Sequence, residues 1–465
     1  MKSLAWFLAA AVLGAEPEVP TRSSADGLEI LVVTTAAPLA DLAAGTAADG
    51  RPGLALLTLG PEGDKGQPGR LLFLPAGTEP PVAVPGDLPA GLTSLAASPS
   101  GWLLGQPGKI HRLDATGQLA TVAQGAGLDL LSVAGGRRTA GDSLVVARAG
   151  RVTRYVDGES GFTAATTVPL PTTASRALFG LRIESPPVAL LPGSDTAPAL
   201  AVAGPLETGK RRLRSQVVDV TSGASHEAWS LLPGDETLIG ASYDRLGSRP
   251  VLLAVTLEQI GLLVEKRVRM FSLPADRTRR GVPPILAFAT DCPLWGTLTN
   301  HLTDTDGDGA VDLVTIYSHG LTLGSLAVEV RRGRASGGFE ATPRRSELSV
   351  EASDWRWVED WTGDGQPDLV VLTDREVRVF PGTPGDRRPV AARPSAKLAS
   401  VPAAWLDGGL RERTLELGNR GATIEERGPH LVPLDVDGDG QNELVAVTPG
   451  KEKRTAVAVL RRRAP

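Results

Sequence analysis

Apolar residues along this chain come in short runs, each bounded by Gly, Pro, Asp or Asn. Runs such as LEILVVTT (28–35), SLVVARAG (143–150), DLVVLTD (368–374) and VRVFPG (377–382) are rich in β-branched residues. That pattern predicts short strands joined by tight turns. Helical periodicity is weak throughout. The longest segment with any claim to a helix, TLEQIGLLVEKRVRMFSL (256–273), reads equally well as a strand hairpin. An all-β chain with turns every ~8 to 12 residues implies a series of sandwiches, a barrel or a propeller.

Internal repetition separates these options. ADGRPGLALLT (48–58), DGDGAVDLVTI (306–316), GDGQPDLVVLT (363–373) and DGDGQNELVAV (437–447) share a turn and the strand that follows it. SDTAPALAVAG (194–204) and LGSRPVLLAVT (246–256) are weaker echoes. The strand leucines Leu54, Leu144, Leu200, Leu253, Leu313, Leu369 and Leu444 mark the units, and the central ones recur about every 55 residues. The longer gap after Leu54 has room for one more unit, which GWLLGQPGKIHRL (101–113) would supply. The last gap is read as holding an insertion around AWLDGGLRERTLELGNRG (404–421). Units of this length suit four-stranded propeller blades. The expected fold is therefore an all-β propeller of seven or eight four-stranded blades. After Leu444 the chain has strands for only part of a last blade, and LEILVVTT near the N-terminus is the natural strand to complete it.

The 465 residues are too many for one ordinary core, and 42% hydrophobic content is enough to build a packed one. A net charge of −5 without a clustered basic face argues against a nucleic-acid partner. Five His and three Tyr leave little material for acid–base chemistry near neutral pH. Lys2 followed by an apolar run from Leu4 to Leu13 and the small residues Gly14 and Ala15 reads as a secretory signal peptide, residues 1–15. That run is too short to span a membrane. The reading is a signal peptide (1–15), a linker (16–26) and a propeller (27–465). The chain is expected to be exported, whether extracellular, cell-surface or periplasmic, with no transmembrane segment after signal removal. The single cysteine, Cys292, has no partner for an internal disulfide and is expected to be a small buried residue.

Three segments carry candidate chemistry. In the first, Asp304, Asp306 and Asp308 take loop positions one, three and five, Ala310 offers a carbonyl at seven, and Asp312 closes at nine. The second has Asp360, Thr362, Asp364, Gln366 (carbonyl) and Asp368; the third has Asp435, Asp437, Asp439, Gln441 (carbonyl) and Glu443. Alternate oxygen donors on a glycine-relaxed loop are what a hard cation such as Ca²⁺ requires. Carboxylates so crowded repel one another unless a cation is present. An EF-hand would need a glutamate at position twelve between helices, but Thr315, Val371 and Ala446 stand there inside β runs. Two to three Ca²⁺ sites are expected.

The pattern D-x-D-G-D-G-x-x-D-L-V ahead of a strand resembles the FG-GAP/VCBS repeat family, the calcium-loop propellers typified by integrin α-subunits. The resemblance covers the loops at 304–312, 360–368 and 435–443 and only faintly the first half of the chain. Thr362 departs from it, standing where an acid is usual. The resemblance implies loops that brace the hairpins of late blades, on the face opposite the one that binds ligand. It also implies a structural, non-catalytic role for the acids.

Trp355 and Trp357 alternate onto one strand face, which favours packing between blades over a sugar-stacking platform. KRRLR (210–214), RTRR (277–280) and RRR (461–463) read as solvated rims, and His301 as an incidental exposed residue. The expected function is non-catalytic binding or adhesion to an extracellular protein or glycan. The alternatives are an enzyme of polysaccharide lyase or hydrolase type with a site in the propeller channel, and a scaffold subunit of an extracellular complex.

Overall fold

The computed structural model describes residues 21–462, apart from 402–428 and a series of shorter segments, of which 61–65, 135–142, 170–175, 184–187, 192–198 and 275–280 are the longer. Among the described residues every regular element is a strand. The strands assemble into eight larger sheets, seven of four strands side by side in chain order and one of five that joins the two ends of the chain. The sheets span 39–83, 94–124, 129–169, 188–231, 237–290, 298–348, 354–399 and 430–462, and are called here the first to eighth meander. A separate hairpin pairs Arg176–Leu178 with Leu181–Ile183. The repeated four-stranded meander is the blade of a β-propeller, and the fold belongs to that class. Among the described residues the count is eight, the higher of the two values that the spacing allowed.

Each marker leucine falls on the second strand of its meander. Leu54, Leu253, Leu313 and Leu369 are completely buried there, because a second strand is covered on both faces. The extra unit is real: strands Gly101–Gln106 and Lys109–Leu113 come from the segment proposed for it. The ambiguous stretch 256–273 lies within a hairpin of Arg249–Ile260 and Leu263–Ser272, paired down to Ile260↔Leu263. The signal-like residues 1–15 and the insertion 404–421 lie outside the described residues.

The eighth meander contributes three strands of its own, His430–Leu434, Glu443–Pro449 and Thr455–Arg462. Its fourth is Leu28–Thr35, which pairs antiparallel with the last strand from Leu28↔Arg462 to Thr35↔Thr455. Residues 21–25, read from sequence as linker, form a fifth strand on the outer edge, in register from Thr21↔Val32 to Ala25↔Leu28. Only once Leu28–Thr35 is in place does that segment have an edge to pair with.

The chain divides into two compact units, 1–122 with 374–377 and 396–465, and 123–373 with 378–395. In the first unit the N-terminal strand packs Leu31 and Val33 against Val445, Val457 and the first-meander residues Leu54 and Leu56. Thr455 Oγ1 accepts the N–H of Leu39, tying the last strand to the start of the first meander. A second cluster joins the first and second meanders through Leu57, Phe73, Trp102 and Leu113. In the second unit adjoining meanders are joined by Val202 with Leu252 and Phe271, by Met270 with Leu313, and by Val328 with Trp355 and Leu369.

Candidate metal centres

The three acidic segments are each the turn between the first and second strands of their meander. Residues 304–312 connect Leu298–Thr303 to Asp312–His319, 360–368 lead into Asp368–Leu372, and 435–443 lead into Glu443–Pro449. All three are wired alike. The first acid accepts the N–H groups at positions four and six: Asp304 from Gly307 and Gly309, both at 2.8 Å; Asp360 from Gly363 (2.7 Å) and Gly365 (2.8 Å); Asp435 from Gly438 (2.7 Å) and Gly440 (3.1 Å). Those six glycines all have positive φ, between 75° and 90°, a region that L side chains enter only with strain. The fifth-position acid accepts the N–H at seven, so Asp308 takes Ala310, Asp364 takes Gln366 and Asp439 takes Gln441.

The ninth-position acid reaches back to position two. Asp312 accepts the N–H and hydroxyl of Thr305, Asp368 the N–H of Trp361 and Thr362, and Glu443 the N–H of Val436 at 2.6 Å. Asp312 and Asp368, both fully buried, also accept the N–H of Gly333 (2.6 Å) and Gly382 (3.0 Å) from the end of the third strand. A Cβ on either glycine would run into the carbonyl of Val311 or Pro367, so glycine is needed there for close approach.

The carboxylates converge in two of the loops. Oxygens of Asp304, Asp306 and Asp308 lie within 4.8 Å of one another, as do those of Asp435, Asp437 and Glu443. Among the described residues the middle loop gathers no such trio; its third position is Thr362, which has no carboxylate and whose N–H goes to Asp368. Burial opposes ionisation of Asp304, but the N–H groups of Gly309 and Gly307 outweigh it and hold the carboxyl below its ordinary pKa. Asp312, Asp368 and Glu443 go the other way, raised first by burial and further by the neighbouring acids Asp306, Asp364 and Asp437 respectively. Asp306 meets Arg332 at 3.0 Å through one oxygen; the other is enclosed with no hydrogen-bond partner among the described residues.

The remaining sequence candidates are placed as follows. Trp355 is buried and donates from Nε1 to Thr299 Oγ1 at 2.7 Å, and Trp357 packs against the same core, so both are packing residues. Arg214 pairs with Glu227 and Arg461 with Glu29, while 277–280 lie outside the described residues. Cys292 is buried, as expected, with Lys266 Nζ 3.7 Å from its sulfur. His301 is a correction. It is half-buried, its Nε2 is enclosed without a partner among the described residues, and burial, then Arg356, lowers its pKa to about 4.

Two polar clusters were not foreseen. Glu236 and Arg269 form a buried two-point ion pair, to which Thr256 adds a hydroxyl at 2.8 Å. Tyr317 Oη lies 2.5 Å from Asp291 and 2.8 Å from Glu329, and Arg345 bridges the same two acids. Tyr317 is completely buried, so this network braces the sixth meander rather than presenting a nucleophile. Their members sit 33, 12 and 26 positions apart, and no local motif links them.

No protein-family model matches the chain, and no curated protein matches it in sequence. Among solved structures it is similar to the WD40 domain of SCAP from fission yeast, at 10% identity over 97% of this chain and 98% of that one, with a TM-score of 0.48. It is also similar to the dihydro-heme d1 dehydrogenase NirN in complex with DHE, at 16% identity over 84% of this chain and 76% of that one, TM-score 0.43. What those proteins bind does not transfer to this chain, whose own residues have to supply its chemistry.

Proposed function

We propose that this protein is an exported, calcium-braced β-propeller of the FG-GAP/VCBS type, acting as a non-catalytic module that binds a protein or glycan partner. The observation that carries the proposal is the convergence of three carboxylates in each of two loops wired alike. Both donor sets are entirely oxygen, which suits a hard cation over a thiophilic or imidazole-seeking one. Asp304, Asp306 and Asp308 would hold one ion, and Asp435, Asp437 and Glu443 a second, with Asp439 and the carbonyls of Ala310 and Gln441 nearby. The unpartnered oxygen of Asp306 fits such a cation, as does the acid–acid repulsion that adds to burial in raising Asp312 and Glu443. A bound ion would fasten the turn between the first two strands of its blade and leave a rigid surface for recognition.

The test is a melt of the full chain with and without Ca²⁺, beside calorimetric titration. Two binding events are expected, together with a rise in Tm that EDTA reverses. Site affinities near 10⁻⁴–10⁻³ M are expected, on the order of those of extracellular modules. A Tm indifferent to both Ca²⁺ and EDTA refutes the proposal.

A further inference from the structure

In the first unit a cleft of about 490 Å³ opens between the first and second meanders. Its floor is the aromatic pair Phe73 and Trp102, with ring centroids 6.1 Å apart. One wall is Val82–Ala83, the two-residue outer strand of the first meander, on which Val82 is 51% exposed. The turn that begins at Asp114 also lines the cleft. The cleft lies at the end of the sheets that carries the first-to-second-strand turns. The loop at 435–443 also lies at that end, and a Cβ on its Gly438 would sit 3.5 Å from Pro52. The resemblance to calcium-loop propellers implied recognition on the opposite face.

Three features of the cleft specify its occupant. The first is an open strand edge. Val84 N–H donates inward to Leu71, and in an antiparallel ladder alternate residues turn their backbone groups in and out. Ala83, opposite Leu72, therefore points its N–H and C=O outward, on the last strand of the sheet. The second is the exposed aliphatic surface of Val82, which stands opposite the largely buried Phe73 in the ladder. The third is charge. Asp114 spends one oxygen, Oδ1, on the N–H and hydroxyl of Thr116 and the N–H of Gln118, and its other oxygen has no partner among the described residues. The hydroxyl of Thr116 and the N–H of Gln118 keep that carboxyl below its ordinary pKa. The other charged groups that line the cleft, Asp49 and Arg51, pair with each other at 2.7 Å, which leaves Asp114 as the unbalanced charge of the lining, with Arg112 close enough to lower its pKa further.

We propose that this cleft docks an extended peptide segment of a partner protein. The segment adds as a strand along Val82–Ala83, lowers an apolar side chain over Phe73 and Trp102, and sets a lysine or arginine on Asp114. This rests on the binding-module reading above and names its partner class. Backbone pairing supplies affinity in such an arrangement, and the apolar and acidic positions supply selection.

Two sets of N-acetylated hexapeptide amides with alternating apolar and polar residues test it, one set carrying an arginine and the other a glutamate at the same place. Fluorescence polarisation with the full chain should show binding of the arginine set alone. Val82→Glu and Asp114→Asn should each weaken it about tenfold or more. Neither variant threatens the fold: Val82 is exposed, and an asparagine keeps the Oδ1 acceptor of its turn. Equal binding of both sets, binding untouched by both variants, or binding to a glycan array alone overturns the inference. None of these outcomes alters the response to Ca²⁺, which reports on the first proposal by itself.

Discussion

At the scale of single residues the turn shared by the three acidic loops was legible, because such a loop is a local object. Its acids lie within nine positions of one another, and the same carboxylate–glycine spacing produced the same hydrogen bonds three times. The division of labour within the loop was not legible. Asp312 and Asp368 are drawn into the fold by Gly333 and Gly382, which are 21 and 14 positions away. The middle loop differs from the other two at position three, where Thr362 stands in place of an aspartate. Thr362→Asp should restore a carboxylate trio there and add a calorimetric Ca²⁺ binding event; an unchanged stoichiometry would show that position three does not limit the site. His301 offers a test by pH. Its folded pKa of about 4 lies below the ordinary 6.5, so the unfolded chain takes up the proton more readily. Stability should be complete above pH 6.5 and fall as pH drops from there toward 4. His301→Gln should flatten that part of the Tm–pH profile, and a profile identical to the parent's would remove His301 as the cause.

Among elements, the strand Leu28–Thr35 carries the most weight. All eight of its residues are buried, and the last strand pairs with it along its whole length. Leu28, Ile30, Leu31, Val32 and Val33 each contribute roughly 1.5–3 kcal/mol by burial, on the order of 10 kcal/mol together. That is comparable to the entire stability of an ordinary domain. Deleting residues 28–35 should therefore abolish cooperative unfolding of the first unit, followed by the near-ultraviolet signal of Trp102, at temperatures where the parent is folded. Retention of the parental transition would contradict the assigned pairing. The element itself was plain from its β-branched run, and its partner followed from the shortage of strands at the other end. The strand formed by 21–25 was not readable, since its five residues acquire a partner only after the neighbouring strand has docked.

At the scale of the whole molecule, sequence alone determined what depends on short spans: strands and turns, the recurrence of a four-stranded unit, the strand that completes the last one, and the oxygen-rich loops between first and second strands. Each is set by alternation, turn chemistry or donor spacing over a few residues, and these operate before distant parts of the chain meet. Only the tertiary structure decided what depends on adjacency across long separations. Glu236 meets Arg269, Trp355 reaches Thr299, and Asp114 comes to line one cleft with Val82, Phe73 and Trp102. Burial, which makes His301 hard to protonate and Tyr317 inaccessible, belongs to the same class. Solvent exclusion is a property of packed neighbours, and neighbours separated by tens of residues leave no periodic mark on the chain.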